Sequence, residues 1–247
     1  MVSDRERREL LIATIADLLD GVRHVAVGAS SPIPAAGAML LRARNEVAGK
    51  PPVRISILGS ERHNFFTNGT VELFDCAAQG RIDAFFLGGG QIDGHGNINL
   101  VGTGDYPNSL VRWPGSFGSA YLYHLVRRVI LFREEHSPRV FVPKVDFISA
   151  AATTPGIPRR GGPHALLTNM AVFDFEKDLG RFLLRSVHPP FTAADIRAQT
   201  GFDYDEPASV PATPRPDTAT LALLRGRIID ELAETYPAFA SSMMEAA

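Results

Sequence analysis

Twice in its first eighty residues the chain runs from a short apolar stretch through a turn into a segment of helical periodicity, and then it opens a third apolar stretch. HVAVGA (24–29) leads through SSPIP, read as a turn, into AAGAMLLRARNEV; VRISIL (53–58) precedes TVELFDCAAQG (70–80), which ends on glycine; IDAFFLG (82–88) follows. Strand–helix–strand repeats build parallel sheets, because parallel neighbours need a crossover and a helix supplies it. The expected fold is α/β, an open, mostly parallel sheet flanked by helices. Residues 1–247 are expected to form a single domain, a size at which 45% apolar composition buries a sizeable core.

Ahead of these repeats, Ser3 and Glu6 have capping-box spacing, and Leu10, Leu11, Ile15, Leu18 and Leu19 recur at helical intervals before Gly21. Beyond residue 96 the runs shorten. GNINLVG, SLVRW, RVILF and VPKVDFIS read as short strands and SAYLYHLV as a short helix. LLTNMAVFDF and RFLLRSVH alternate like an antiparallel hairpin, and TAADIRAQTGF reads as a capped helix. A proline-rich connector, EPASVPATPRP, leads to a last helix from about Asp217 to Thr235.

Net charge is −2 with the two signs interspersed, so neither a nucleic-acid nor a membrane partner is indicated. The single cysteine, Cys76, excludes an internal disulfide framework and fits a reducing, cytoplasmic setting. The N-terminus is too charged for a signal peptide, and no stretch approaches the roughly 20 apolar residues of a spanning helix. HxxxH, HxH and CxxC spacings do not occur, so no metal site is expected.

FFLGGGQIDGHGNINL (85–100) places five glycines between Gly88 and Gly96, directly after an apolar run. Bare backbone allows close approach, and the N–H groups of Gly89, Gly90 and Gln91 can converge on a developing anion, an oxyanion-hole arrangement. The same residues also suit a tight turn with a β-bulge. The order fits neither GxGxxG opening onto a helix nor GxxxxGK[ST], so nucleotide fingerprints are absent. Asp93, Asn97 and Asn99 suit local backbone bonding that holds such a loop in shape, and His95 suits either a base or a solvated loop residue.

GGGQIDGHGNINLVGTGDYPNSLVRWPGSFGSA (88–120), VPKVDFIS (142–149), GGP (161–163), VFDF (172–175) and SVHP (186–189) together resemble the β subunits of class I CoA-transferases of the glutaconate type. Within that family they are most similar to the branch that hydrolyses a carbocyclic ring of steroid-derived CoA thioesters. The resemblance implies an acyl-CoA substrate, no cofactor beyond the coenzyme A it carries, and an α subunit as partner in an αβ or α2β2 assembly. It implies that Gly89, Gly90 and Gln91 line the thioester carbonyl. Asp93, Arg112, Gly115, Ser116 and Gly118 are the substrate-binding residues it implies. Read from the residues alone, PGSFGSA suits a helix entry equally well, with Ser116 or Ser119 as cap.

A transferase of that family carries a glutamate nucleophile at the end of the strand matching VRISIL, because the acyl group passes through a covalent glutamyl intermediate. Here the strand ends LGSER: Gly59 or Ser60 stands at that place, and Glu61 is displaced. A one-residue shift turns a strand side chain to the other face, so glutamyl transfer is expected to be lost and C–C hydrolysis with a base from the α subunit to remain. Two alternatives stay open: a transferase subunit using Glu61, and a non-catalytic ligand sensor of the same architecture. His124 reads as a packed histidine, His188 as a turn residue and Asp146 as a structural polar contact.

Overall fold

A computed structural model describes residues 2–245 of the chain. They form two compact units. One is built from the described residues up to Leu73, from Arg81–Phe86 and from Pro214 onward; the other from Phe74–Gly80 and Leu87–Thr213.

The first unit opens with α1 (Asp4–Leu18), whose N-terminus has the expected capping box: Glu6 N–H donates to Ser3 Oγ at 3.2 Å, and Ser3 N–H donates to Glu6 Oε2 at 2.8 Å. Its Leu11, Ile12 and Ile15 are fully buried. β1 (His24–Val27) is followed by α2 (Pro32–Val47), so SSPIP is not a turn of its own. Pro32 and Pro34 lie in the first turn of α2, where the missing N–H groups have no intrahelical partner to lose. β2 (Arg54–Ile57) pairs parallel to β1 along its length, from His24↔Arg54 to Val27↔Ile57. After α3 (Gly69–Ala78) comes β3 (Ala84–Leu87), also parallel to β1 through Val25↔Ala84.

The second unit begins its strands with a two-residue hairpin, β4 (Gln91–Ile92) with β5 (Ile98–Asn99), and a second small ribbon, β6 (Gly102–Thr103) with β7 (Val111–Arg112). Then come α4 (Ser119–Leu125), β8 (Arg128–Arg133), β9 (Pro163–Thr168), β10 (Ala171–Glu176) and β11 (Arg181–Val187). β8 and β9 are parallel, whereas β9–β10 and β10–β11 are antiparallel. LLTNMAVFDF is therefore two strands: Thr168 Oγ1 accepts the N–H groups of Met170 and Ala171 and bends the chain there. VPKVDFIS is not a strand. Pro143 has no N–H to give, and the segment bonds the β4–β5 hairpin at its two ends, through Val142 N–H to Ile92 C=O and Ser149 N–H to Ile98 C=O. α5 (Ala193–Gln199) carries the expected cap, from Thr192 and Asp195.

The chain closes in the first unit with α6 (Thr218–Leu223), a π-helical turn (Leu224–Ile228), α7 (Ile229–Leu232) and α8 (Pro237–Glu245). The last helix expected from periodicity thus ends earlier than Thr235, and α8 follows it as a separate helix that periodicity did not announce. Arg225 grips Glu9, which is 2% exposed, through two hydrogen bonds of 2.7 and 2.9 Å. The mixed, mostly parallel sheet flanked by helices is the α/β fold expected. Among the described residues no helix is long and apolar enough to cross a membrane.

Candidate active site

In the second unit the glycine run connects β3 to β4 through close packing. A Cβ on Gly90 would lie 2.3 Å from two ring carbons of Trp113, and one on Gly89 would lie 2.7 Å from the Gln91 carbonyl oxygen. The Gly90 N–H donates to the Asn99 carbonyl at 2.9 Å. Of the three amides expected to face an anion, this one is therefore engaged within the hairpin, because β4 and β5 need it for their ladder.

Gln91 is 6% exposed and fully engaged. Its Oε1 accepts from Asn99 Nδ2 at 2.8 Å and from the Asp146 amide at 3.0 Å, while its Nε2 donates to Asp146 Oδ2 at 3.2 Å. Asp146 Oδ2 also accepts the Gly104 N–H at 2.8 Å, so Asp146 is the structural polar contact expected, tied to the glycine loop itself. Asn99 also donates to Gly102 C=O and accepts Val101 N–H.

Asp93 departs from its implied substrate-binding role. It is 3% exposed, and its carboxylate accepts the amides of His95 and Asn97 and the Asn97 side chain. Those three donors belong to the loop that Asp93 closes, so its charge is directed inward. His95 is exposed, with Nδ1 3.3 Å from Gly180 O.

Arg112 is exposed on β7, with its guanidinium carbon 5.8 Å from the Tyr106 ring centre. Trp113 follows it, half-buried against Gly90. Gly115 has φ +107°, a conformation closed to most side chains, and nothing lies near its missing Cβ. Ser116 contributes its carbonyl to the Ser119 amide at 2.8 Å, so neither serine side chain caps α4; Gly118 holds that place. A Cβ on Gly118 would fall 2.2 Å from the Phe74 ring. Phe117, at φ +42°, is 84% exposed, close to Leu110 in sequence, itself 86% exposed.

In the first unit the loop after β2 is drawn tight. Ser60 is 5% exposed; its Oγ donates to Glu234 Oε2 at 2.7 Å and accepts His63 N–H at 2.9 Å. Glu61 is exposed, and its amide donates to Glu234 Oε1 at 2.8 Å. His63 Nε2 lies 3.0 Å from Glu231 Oε1, and burial, outweighing that carboxylate, lowers its pKa. Glu234 lies 174 residues from Ser60 in the chain, and no local pattern marked it.

Two buried histidines of the second unit lie outside both loops. His188 is not a turn residue: at 2% exposure its Nε2 bonds Thr168 C=O at 3.1 Å and its Nδ1 lies 2.8 Å from Thr213 Oγ1. His136 spans Thr168 and Thr200 hydroxyls at 2.8 and 2.9 Å. Burial lowers the pKa of each to about 4. His124 is half-buried.

Residues 11–199 match the family model described as coenzyme A transferase. The chain belongs to the CoA-transferase family. It is 32% identical over 164 residues to the β subunit of 3-oxoadipate CoA-transferase from Pseudomonas knackmussii, covering 63% of each protein. It is 29% identical over 151 residues to the β subunit of glutaconate CoA-transferase from Acidaminococcus fermentans, covering 58% of this chain and 56% of that one. In both cases the match spans less than two thirds of the relative's own length. The cholesterol ring-cleaving hydrolase IpdB subunit of Rhodococcus jostii is 25% identical over 242 residues, covering 91% of this chain and 92% of that protein. Among solved structures, the decarboxylase AibA/AibB superposes with a TM-score of 0.75 at 25% identity, covering 93% of this chain and 99% of that one. Glutaconate CoA-transferase shares the fold with a TM-score of 0.76 at 23% identity, covering 89% and 93%. The CoA-transferase relatives are themselves β subunits, which makes this chain a β-type member of a family that works as pairs.

Proposed function

We propose that this CoA-transferase-family chain is the β subunit of a heteromeric hydrolase that opens a carbocyclic ring of an acyl-CoA of steroid origin by C–C cleavage. The observation that carries this reading is the end of β2. A covalent transferase needs a free carboxylate there to attack the thioester. Ser60 stands at that place with its hydroxyl directed to Glu234, while Glu61 points its side chain to solvent and has its amide pinned. The long match to the ring-cleaving IpdB subunit supports the same reading.

In the proposed reaction a carboxylate of the α subunit takes a proton from water, and the hydroxide adds to a ring ketone. The C–C bond next to that carbon then breaks, and its electron pair passes into an enolate that is later protonated. Donors preorganised toward that anion are worth about 2.7–4 kcal/mol each when water is excluded. We assign this task to the backbone at Gly89, because the Gly90 N–H is engaged by Asn99. Gln91 and Asp146 keep the loop in one conformation. The exposed Tyr106, Leu110, Val111, Phe117 and Tyr121 offer apolar surface to the α subunit or the acyl group.

The chain co-purified with its α partner and given a panel of CoA esters is expected to add one water per turnover, with 18O from solvent entering the new carboxylate and CoA retained. CoA exchange between acids would sink the reading. The second reading, a transferase using Glu61, is favoured by the 32% identity to the 3-oxoadipate CoA-transferase chain. It requires borohydride after acyl-CoA addition to reduce Glu61 and inactivate the pair.

A further inference from the structure

We infer that Glu234 is a positioning residue: from the turn after α7 it fixes the Ser60 hydroxyl and the Glu61 amide, and so sets the backbone at the carboxyl end of β2. In open α/β sheets ligands bind outside the carboxyl ends of the strands, so this loop borders the region where an acyl-CoA would lie. The activity arm of the test rests on the function proposed above.

One turn holds two loops. Glu234 takes Ser60 Oγ–H at 2.7 Å and Glu61 N–H at 2.8 Å, and Thr235 also donates its hydroxyl to it. Two residues on from Glu234, Tyr236 O–H donates to Gly28 C=O at 3.2 Å, in the loop after β1. The β2 loop is otherwise closed on itself by Ile57 N–H to His63 C=O and by Ser60 N–H to Ile57 C=O. Neither of those bonds fixes the Glu61 peptide, which Glu234 alone holds among the bonds named. Burial opposes the charge on Glu234, but the donors from Thr235, Ser60 and Glu61 overcome it and hold the group at about 2. A carboxylate so engaged is a weak base and a weak nucleophile, which suits it to positioning rather than proton transfer.

The test uses the reconstituted αβ pair with Glu234→Ala, Glu234→Gln, Ser60→Ala and the Ser60→Ala/Glu234→Ala double variant. Amide hydrogen exchange is read on peptides covering residues 57–63, and kcat and KM are read on the CoA ester the wild type consumes. For Glu234→Ala, exchange is expected to accelerate and kcat to fall by about tenfold or more with KM changed less than about threefold, since groups acting as one unit are non-additive and the double variant then loses no more than the worse single. Glu234→Gln keeps one acceptor oxygen and is expected to fall between. Unchanged exchange, faster exchange with unchanged kcat, or losses that add in the double variant would each overturn the inference. Should the wild type exchange CoA instead of adding water, the hydrolase reading fails alone, and the same comparison on the transfer rate still decides the role of Glu234.

Discussion

Gln91 and Asp146 bond each other in both directions: the glutamine Nε2 donates to the aspartate carboxylate at 3.2 Å, and the aspartate amide donates to the glutamine oxygen at 3.0 Å. With Asn99 as a third member, this closes the glycine loop against a segment 55 residues away in the chain. Replacing Gln91 by Ala leaves the Asn99 amide and the Asp146 N–H short of an acceptor, a loss of about 1–3 kcal/mol for buried groups. We expect a lower Tm and turnover reduced by about tenfold or more. Calorimetry and product assays on the αβ pair check this; an unaltered rate would remove the loop from catalysis.

The chain has one tryptophan, Trp113, and its indole lies against Gly90. Gly90→Val forces the ring aside and is expected to cost about 1–3 kcal/mol in overpacking. Selectively excited tryptophan emission reports this site, so we expect a red shift in the variant and a change in intensity when acyl-CoA binds the wild type. A variant with wild-type emission and stability would contradict the packing described.

Acid should weaken the second unit before it protonates the carboxylates. His136 and His188 are lowered to about 4 from an ordinary 6.5. The unfolded chain takes up these protons first as pH falls, so their stabilisation is complete above about 6.5 and is lost between 6.5 and 4, by at most about 3 kcal/mol per histidine. Glu234, lowered to about 2 from 4.5, loses its contribution only below that window. Urea unfolding on either side of the histidine window measures the difference, and His188→Gln is expected to reduce it.

Arg112 faces outward beside Tyr106, with no carboxylate partner among the described residues. If it holds an acid group of the substrate, Arg112→Ala raises KM and leaves kcat within about twofold, the signature of uniform binding. Equal KM values in steady-state assays would assign it to the surface instead.

The chain alone is expected to be inactive, because the proton chemistry belongs to its partner. Turnover by the lone, monomeric chain would contradict the division of labour proposed.

The alternation of apolar runs with helical periods determined the parallel strands, the crossover helices and the two capping boxes, since these depend on neighbours a few residues apart. The glycine run announced close approach at Gly89 and Gly90. Only the tertiary structure decided what approaches: Trp113 against Gly90, Asp146 on Gln91, and the Asn99 carbonyl on an amide that a sequence reading leaves free. The β2 loop divides the same way. The sequence determined that Ser60 replaces a carboxylate, while the fold brings Glu234 to it across 174 residues. Local backbone preference is written in spacing, but a hydrogen bond between distant side chains exists only once the chain has closed around it.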